Sequence, residues 1–300
     1  MKIPIVSVIV STYNSERFIR GCIEDLIEQS IFDQLEIIII DSGSKENEAA
    51  VLEPYLKAHA NIRLIRTERE SLYAAWNRGI KLANGKYITN ANADDRHEAS
   101  FMETMSSVLS ATRDVPLVFC DQLETGTENE SFAAAKANGA KKIKSQEYSA
   151  KALMMNCLIG SMPMWRRELH DQVGFFDETF KIAGDYDMWM RFAEIAPPLK
   201  INKVLGTFFK SPNTLSGSDN QALINSETMR VQLTYIAKAP WADVEGLKEI
   251  IGKQLYARGY FHIIRNDWAS AKPFIQEAVR LNSEVLLLLQ SQKTKDYFGV

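Results

Sequence analysis

Residues 5–14 read IVSVIVSTYN, and residues 35–44 read LEIIIIDSGS. In each stretch a run of branched apolar residues ends abruptly in small polar side chains. Such runs are typical of strands that are buried on both faces of a parallel sheet. Between them, apolar side chains recur at helical spacing from Phe18 to Ile27, which predicts a helix over residues 15–30. The two stretches therefore predict the first strand, helix and strand of an α/β fold.

The same alternation continues as far as residue 194. It predicts, in order, a helix at 45–59 that Pro54 could split or kink, a strand at 62–66, a helix at 71–83 with Asn84-Gly85 as its C-cap, strands at 86–89, 115–121 and 160–167, and a helix at 185–194. Residues 124–146 are polar and lack a clear period, so we expect a long surface loop with some helix there. Strands separated by helices favour right-handed crossovers and a mostly parallel sheet with flanking helices.

The last part of the chain has a different pattern. Residues 247–289 are predicted to be all helical, and their large and small side chains follow a tetratricopeptide-like spacing. The residues with this spacing are Tyr256, Gly259, Tyr260, Trp268, Ala271, Phe274, Ala278 and Leu281. One such hairpin cannot form a solenoid, which needs about three repeats, so we expect it to pack on the preceding domain or on a second subunit. The predicted domains are residues 1–220 and 221–300.

Composition limits the classes of partner and the cell compartment. The 300 residues carry a formal net charge of −3, with no basic cluster of the kind that binds nucleic acid. Cys22, Cys120 and Cys157 are far apart in the sequence, which favours small core residues in a reducing compartment over a disulfide or a zinc site. No apolar run is long enough to span a bilayer, so we expect a cytoplasmic protein. Peripheral association with the inner face of the membrane and a homodimer are left open.

Three common motifs are missing from this α/β pattern. A dehydrogenase-type dinucleotide fold needs GxGxxG after its first strand, but no glycine precedes Gly21 here. The chain also has no Walker A loop and no GxSxG nucleophile elbow. The polar side chains that follow the strands instead favour a nucleoside diphosphate that is held by side chains and a metal ion.

The polar residues after the strands suggest particular contacts. The ring of Tyr13 can stack on a base, and the carboxylate of Asp41 can accept a hydrogen bond from a uracil N–H. Asp94 and Asp95 are adjacent carboxylates after a strand, an arrangement that Mg²⁺ or Mn²⁺ stabilises together with diphosphate oxygens. The alternatives are ordinary packing for Tyr13, a turn cap for Asp41 and a plain surface turn for Asp94 and Asp95.

Several segments resemble family 2 glycosyltransferases of the GT-A fold. The matching segments are Val6–Asn14 (VSVIVSTYN), Glu36–Ser44 (EIIIIDSGS), Ala75–Gly79 (AWNRG), Gly85–Arg96 (GKYITNANADDR), Val173–Glu178 (VGFFDE) and Gly184–Arg191 (GDYDMWMR). Each motif alone is weak, but their order and spacing together are specific. The resemblance implies a Rossmann-like α/β domain with a mostly parallel sheet and flanking helices, followed here by a small C-terminal helical segment.

The resemblance also implies a role for each matching residue. Asn92-Ala93-Asp94 stands where the family has its D-x-D motif, so Asp94 would bind the divalent metal and Asp95 would lie beside the donor sugar. Asp185 stands where the family has its catalytic base, and the alternative for it is a helix N-cap without catalysis. The implied nucleotide- and donor-binding residues are Thr12, Tyr13, Asn14, Asp41, Arg78, Asn92, Asp95 and Arg96.

Three positions depart from the family pattern. Asn92 replaces the first aspartate of the metal motif, but the second aspartate usually makes the metal contact, so we expect activity to be kept. Gly184 stands where many members have a glutamate before the base, which puts the way the acceptor is held in doubt. Ser42 replaces a second aspartate of the usual DDGS run.

The resemblance implies an enzyme that moves a sugar from a nucleotide-diphospho-sugar to an acceptor hydroxyl with inversion at the anomeric carbon. Family habit favours UDP, and the acceptor would be a glycan or lipid-linked glycan in cell-surface polysaccharide, lipopolysaccharide or glycoprotein assembly. Processive synthases of the family carry a QxxRW motif and membrane spans, and this chain has neither, so we expect single-sugar addition. The alternatives are a retaining transferase with a similar donor site, and a non-catalytic scaffold that docks a partner through its helical tail.

Overall fold

The computed structural model describes residues 3–211, 214–215, 217–238, 241, 244, 246–289 and 291–300. The chain divides into two compact units. The first comprises Met1–Tyr148 and Cys157–Asp219, and the second comprises Ser149–Asn156 and Asn220–Val300. The short segment at 149–156 therefore belongs with the C-terminal residues, a grouping that the sequence pattern does not indicate. The expected division into two domains after residue 220 stays a prediction.

Strands and helices alternate along the first unit, as the sequence pattern predicts. The strands are β1 (Val6–Thr12), β2 (Leu35–Asp41), β3 (Ile62–Arg66), β4 (Tyr87–Asn92), β5 (Arg96–His97), β6 (Leu117–Thr125), β7 (Lys141–Ile143), β8 (Met164–Arg166) and β9 (Leu199–Phe209). The α-helices of the described residues, in both units, are α1 (Glu16–Ile27), α2 (Glu48–Ala58), α3 (Leu72–Leu82), α4 (Phe101–Ala111), α5 (Phe132–Ala137), α6 (Ala150–Met155), α7 (His170–Val173), α8 (Gly184–Ile195), α9 (Gln221–Ile236), α10 (Leu247–Ile263), α11 (Trp268–Leu281) and α12 (Gln292–Phe298).

The strands of the described residues form one mixed sheet in the order β3-β2-β1-β4-β8-β6-β9-β5, with β7 paired to β6. Its first half is parallel, because β1 pairs in parallel with both β2 and β4, and β2 with β3. β8 is antiparallel to β4 and to β6, whereas β6 and β9 are parallel. The α/β class and the mostly parallel sheet predicted from the sequence are confirmed.

The register of the parallel strands brings their polar ends together. Ser11 of β1 lies beside Ile40 of β2 on one side and beside Asn92 of β4 on the other. Thr12 lies beside Asp41. The carboxyl ends of parallel strands form the edge of an open sheet where ligands bind, and here that edge is lined with small polar residues.

The core of the first unit lies under this edge. Val8 and Val10 of β1 pack in the same buried cluster as Ile19 and Leu26 of α1. These helix residues are the ones that recur at helical spacing in the sequence, so the apolar stripe of α1 faces the sheet. A rigid apolar layer therefore holds the polar ends of the strands in place.

Gly85 has a different role from the predicted one. α3 ends at Leu82, and its C-cap residue is Ala83 in an extended conformation, so Asn84-Gly85 does not cap the helix. A Cβ at residue 85 would lie 2.5 Å from the backbone nitrogen of Ser7. The N–H of Gly85 donates to the Ser7 hydroxyl at 2.8 Å. Glycine is therefore required because the chain passes directly over β1 before it enters β4.

Two more details refine the sequence pattern of the first unit. α2 continues through Pro54 instead of ending there. The polar stretch at 124–146 contains α5 and the short strand β7, which pairs with Gln122–Glu124 of β6. Some of this stretch therefore belongs to the sheet, and the stretch is not only a surface loop.

The second unit is helical, as predicted. α10 and α11 pack together through small residues, since a Cβ at Gly259 would lie 2.7 Å from the Ile275 side chain. The Nε2 of Gln232 on α9 donates to the carbonyl oxygens of Met154 and Met155, which ties α6 to α9. Within the ranges that the structure describes, no helix is both long and apolar enough to cross a bilayer.

Candidate active site

A cavity of about 700 Å³ lies at the carboxyl ends of β1 and β4. Three carboxylates from two distant parts of the chain line it, namely Asp94, Asp95 and Asp185. Thr12, Tyr13 and Asn92 line the same cavity. The fold thus brings together six of the residues that the sequence motifs predict for the metal, the donor and the base.

Asp95 is fully buried and is held by neighbours on both sides. Its carboxylate accepts a hydrogen bond from the amide of Asn92 at 3.0 Å and another from the backbone N–H of Phe209 at 3.0 Å. Burial, and then the nearby charge of Asp94, raise the pKa of Asp95 to about 7. A carboxylate at position 92 would add a third negative charge to this pair, whereas the asparagine donates a hydrogen bond. This contact gives the departure at Asn92 a physical reason.

Asp94 is less constrained than its neighbour. Within the described part of the chain, its carboxylate makes no hydrogen bond or ion pair with another residue. Burial raises its pKa, because no opposite charge compensates the loss of water. An acidic side chain of this kind in a cavity fits a divalent cation, since Mg²⁺ is usually bound by one or two carboxylates together with substrate phosphates. The described residues contain no cluster of three or more acidic, histidine or cysteine side chains that could hold a metal alone.

Asp185 lies in the first turn of α8. Its Oδ1 accepts a hydrogen bond from the backbone N–H of Tyr186 at 2.7 Å. The positive end of the helix dipole at this position favours the ionised carboxylate. Asp187, two residues further along the same turn, forms an ion pair with Arg191 at 2.8 Å, which is the i,i+4 pair expected from the sequence. Asp185 and Asp187 therefore differ in role although they are two residues apart.

Tyr13 lies at the rim of the cavity with 37% of its surface exposed. The guanidinium of Arg69 lies over its ring, 3.7 Å from the centroid. Arg69 also lines the cavity, although no sequence motif identifies it. An aromatic ring with one flat face at a cavity rim is suited to stacking on a planar base.

Asp41 and Asn14 hold the loops that follow β1 and β2. The buried Asp41 carboxylate accepts the backbone N–H of Ser44 at 2.8 Å and lies 3.4 Å from Arg66. Asn14 has a left-handed φ of 51°, and its Oδ1 accepts the N–H of Lys45 at 2.8 Å. Neither is among the described residues that line the cavity, whereas Ser42 is. The turn-cap alternative for Asp41 matches these contacts.

The structure places Arg78 and Arg96 away from the cavity lining. Arg78 forms an exposed ion pair with Glu70 at 2.9 Å. Arg96 is buried and makes two hydrogen bonds of 2.7 Å to the carboxylate of Asp25. Both guanidinium groups are already paired with protein carboxylates, so the donor contacts expected for them are not supported by these contacts. The sequence motif could not show this, because Asp25 and Glu70 lie outside it.

Several cavity residues carry no signal of their own in the sequence. Trp76 donates from its Nε1 to the Ser11 hydroxyl at 3.2 Å, and it packs against Phe176. The helical spacing of Tyr73 and Trp76 on α3 could have identified the face that they share. Cys157, expected to be a core residue, is instead exposed and lines the cavity, because it lies in an irregular segment between α6 and β8.

The sequence matches the model of one protein family over residues 7–174, and the family is described as Glycosyl transferase family 2. It is also similar to the uncharacterized glycosyltransferase EpsJ of Bacillus subtilis (strain 168), with 26% identity over 71% of this chain and 63% of that protein. A chondroitin synthase of Escherichia coli is 25% identical over 68% of this chain and 28% of that protein. The chain thus spans less than two thirds of the length of these two relatives.

Two kinds of solved structure share the fold. The crystal structure of S. aureus TarS 1-349 in complex with UDP-GlcNAc superposes with a TM-score of 0.73 and 18% identity, over 98% of this chain and 89% of that chain. The mannosyltransferase PcManGT from Pyrobaculum calidifontis, in complex with GDP-Man and Mn²⁺, gives a TM-score of 0.63 and 16% identity, over 100% of this chain and 84% of that chain. At these identities the likeness concerns the fold, and it confirms the GT-A architecture predicted from the motifs.

Proposed function

We propose that this chain, which belongs to glycosyl transferase family 2, transfers a single sugar from a nucleoside-diphosphate sugar to an acceptor hydroxyl, with inversion at the anomeric carbon. The observation that carries the proposal is the meeting of Asp94, Asp95 and Asp185 in one cavity at the carboxyl ends of β1 and β4. These carboxylates come from motifs about 90 positions apart in the sequence, and burial raises the pKa of both Asp94 and Asp95, so their ionised forms carry an electrostatic cost. Binding a cation and a sugar donor gives that cost a function.

Asp94 is the residue that we propose to hold the divalent ion, Mn²⁺ or Mg²⁺. Its carboxylate faces the cavity and no described cation neutralises it, so a metal–diphosphate complex would supply the missing positive charge. When bound, the metal neutralises the negative charge that develops on the diphosphate leaving group. Asp95, by contrast, is held by Asn92 and the backbone of Phe209, and we propose that it shapes the floor beside the donor sugar.

Asp185 is the residue that we propose as the general base. It is half-buried in the first turn of α8, where the helix dipole stabilises its charge, and it faces the same cavity as Asp94. There it would take the proton of the acceptor hydroxyl while the hydroxyl oxygen attacks the anomeric carbon from the face opposite the diphosphate. Single displacement of this kind inverts the configuration.

We further propose that the nucleotide is UDP and that Thr12 and Tyr13 line the pocket for its base. The exposed face of Tyr13 at the rim supports base stacking. TarS, which shares the fold, has been solved with UDP and with UDP-GlcNAc, whereas the mannosyltransferase with the same fold holds GDP-Man and Mn²⁺. The nucleotide is therefore the first feature to test.

The acceptor that we propose is a glycan or lipid-linked glycan in the assembly of a cell-surface polysaccharide. This part of the proposal rests on the family and on a relative that is named a chondroitin synthase. The described cysteines are unpaired, which supports the expected reducing, cytoplasmic compartment.

The first test is calorimetric titration of the protein with UDP, GDP and dTDP, each with Mn²⁺ and with EDTA. We expect metal-dependent binding of UDP, and we expect Asp94→Ala to lose it. Asp33→Ala, at an exposed aspartate outside the cavity lining, is the matched control and should bind as the wild type does. No binding of any nucleotide by the folded protein would overturn the proposal.

A second variant separates donor binding from chemistry. Asp185→Asn keeps the size of the side chain but removes the base, so it should bind UDP and Mn²⁺ normally. Its turnover should fall about 10²–10⁴-fold, which is the usual contribution of a positioned general base. Full turnover by this variant would exclude Asp185 as the base while leaving the donor site intact.

A further inference from the structure

The base proposed above is in contact with a buried tyrosine on another helix. Tyr73 lies on α3 and has 1% of its surface exposed. Its hydroxyl contacts the carbonyl oxygen of Ile182, and it lies 3.4 Å from Oδ1 of Asp185. One hydroxyl therefore reaches both the backbone that enters α8 and the carboxylate in the first turn of that helix.

The ring of Tyr73 is fixed by its neighbours. It stacks on Phe176 at a centroid distance of 5.7 Å and meets the edge of Trp76 at 5.5 Å. The segment that contains Phe176 is itself tied to α3, because Asn77 donates to the Phe176 carbonyl and accepts the Phe176 N–H, each at 2.9 Å. The hydroxyl of Tyr73 therefore has little freedom to leave Asp185.

Gly184 makes this contact sterically feasible. A Cβ at residue 184 would lie 2.7 Å from the ring of Tyr73, closer than non-bonded carbon atoms approach. The φ of Gly184 is not in the left-handed region, so the glycine is required for space and not for backbone conformation. Gly184 is also the position where the sequence departs from the glutamate of the family pattern.

We infer that Tyr73 is a positioning residue for Asp185, and that glycine at position 184 leaves the space that the ring of Tyr73 needs. The inference rests on the proposed function in that Asp185 is taken as the base. The single hydroxyl proton lies between two acceptors, the carbonyl oxygen of Ile182 at the start of α8 and Oδ1 of Asp185, so its partial positive charge is close to the ionised form of Asp185. A hydrogen bond donated to a carboxylate stabilises its charged state, which is the state that accepts a proton.

The electrostatics of the site agree with this role. Burial, and then the charge of Asp185, hold the pKa of Tyr73 well above its usual value, so the hydroxyl keeps its proton at neutral pH. Surrounding protein atoms, and then the charge of Asp185, raise the pKa of the Cys157 thiol well above its usual value, so this neighbour of Asp185 stays neutral near pH 7.

The test follows the ionisation of Asp185 directly and needs no acceptor. The protein is labelled with ¹³C at the aspartate carboxyl carbons, and the Asp185 signal is assigned by its loss in Asp185→Asn. In Tyr73→Phe, which keeps the ring and removes the hydroxyl, we expect the titration midpoint of this signal to move to higher pH by about 0.5 pH unit. The same titration in Cys157→Ser separates the contribution of the thiol.

Two matched variants serve as controls. Tyr87→Phe removes the hydroxyl of another buried tyrosine, which contacts Ser110 and not the cavity, and should leave the midpoint unchanged. Gly184→Ala should shift the midpoint in the same direction as Tyr73→Phe. Gly126→Ala adds a Cβ that has no atom within 4 Å, so it should leave the midpoint unchanged. The double variant at 73 and 184 should show no further shift, because both changes remove one contact.

An unchanged Asp185 midpoint in folded Tyr73→Phe would overturn the inference, and so would an equal shift in Tyr87→Phe. Failure of the proposed function would look different. In that case Asp185→Asn would retain turnover or the protein would bind no nucleotide, while the titration would still decide whether Tyr73 acts on Asp185.

Discussion

The ends of β2 and β4 look alike in the sequence and differ in the folded protein. Each strand is a buried run that ends in a polar segment with an aspartate, namely Asp41 as the last residue of β2 and Asp94 two residues after β4. The carboxylate of Asp41 accepts a hydrogen bond from the Ser44 N–H and is paired with Arg66. The carboxylate of Asp94 has no such partner among the described residues, and burial raises its pKa.

The difference shows how one sequence feature serves two purposes. A carboxylate whose charge is satisfied by its own fold stabilises a loop. A carboxylate that the fold leaves unsatisfied in a cavity destabilises the free protein and is suited to an incoming cation. Four substitutions test this comparison.

Asp94→Ala should have the largest effect, and on activity alone. We expect transfer to fall about 1,000-fold, since metal neutralisation of a leaving group contributes several kcal/mol. The free energy of unfolding should stay the same or rise, because an uncompensated buried charge is removed. Chemical denaturation alongside the turnover assay checks both, and a clear loss of stability would contradict the view of Asp94 as an unsatisfied ligand.

Arg96→Met should show the opposite pattern. Removal of the guanidinium leaves the buried Asp25 unpaired, so we expect the free energy of unfolding to fall by about 3 kcal/mol. Nucleotide binding by the fraction that remains folded should be unchanged. Arg78→Met removes an exposed pair with Glu70 and is the control, for which we expect a change below about 1 kcal/mol. A specific loss of UDP affinity in Arg96→Met would restore the donor-binding role that the motif implies.

Asp41→Asn should destabilise the protein by about 2 kcal/mol, because a charged, buried hydrogen bond to the Ser44 N–H becomes weaker. Thermal unfolding measures the change. Affinity for UDP should fall less than in Asp94→Ala. If Asp41→Asn instead leaves stability unchanged and abolishes UDP binding, Asp41 contacts the base as first predicted and the comparison of the two strand ends fails.

Glu36→Gln should have the smallest effect, and one that depends on pH. Burial opposes ionisation of Glu36, but hydrogen bonds from Ser7, Asn84 and Gly85 outweigh it and lower the pKa of this carboxyl. The charge therefore contributes stability above the ordinary glutamate pKa of about 4.3, and this contribution is lost as the pH falls through the lowered value. We expect a loss of less than about 1 kcal/mol at pH 7, because solvent screens a half-buried charge, and a difference from the wild type that shrinks as the pH falls below about 4.3. A difference that is constant with pH would contradict this origin.

Much of the fold follows from local patterns. The buried runs at 5–10 and 35–40, and the helical stripe of α1, predict elements within a few residues of β1, β2 and α1. Apolar periodicity reports which face of an element is buried, and that face does not depend on distant partners. The prediction of a C-cap at Asn84-Gly85 is wrong because a glycine is required there by the close approach of the chain to β1. Local turn chemistry does not encode this contact with a distant strand.

The sequence by itself determined the α/β class, the family and the presence of Asp94, Asp95 and Asp185, because strand patterns and motif spacing are properties of the chain. Only the tertiary structure decided which polar residues share the cavity, that Arg96 is paired with Asp25, and that Tyr73 reaches Asp185 across Gly184. The physical reason is that the ionisation, exposure and orientation of a side chain depend on neighbours that are far apart in the sequence, and folding alone brings those neighbours together.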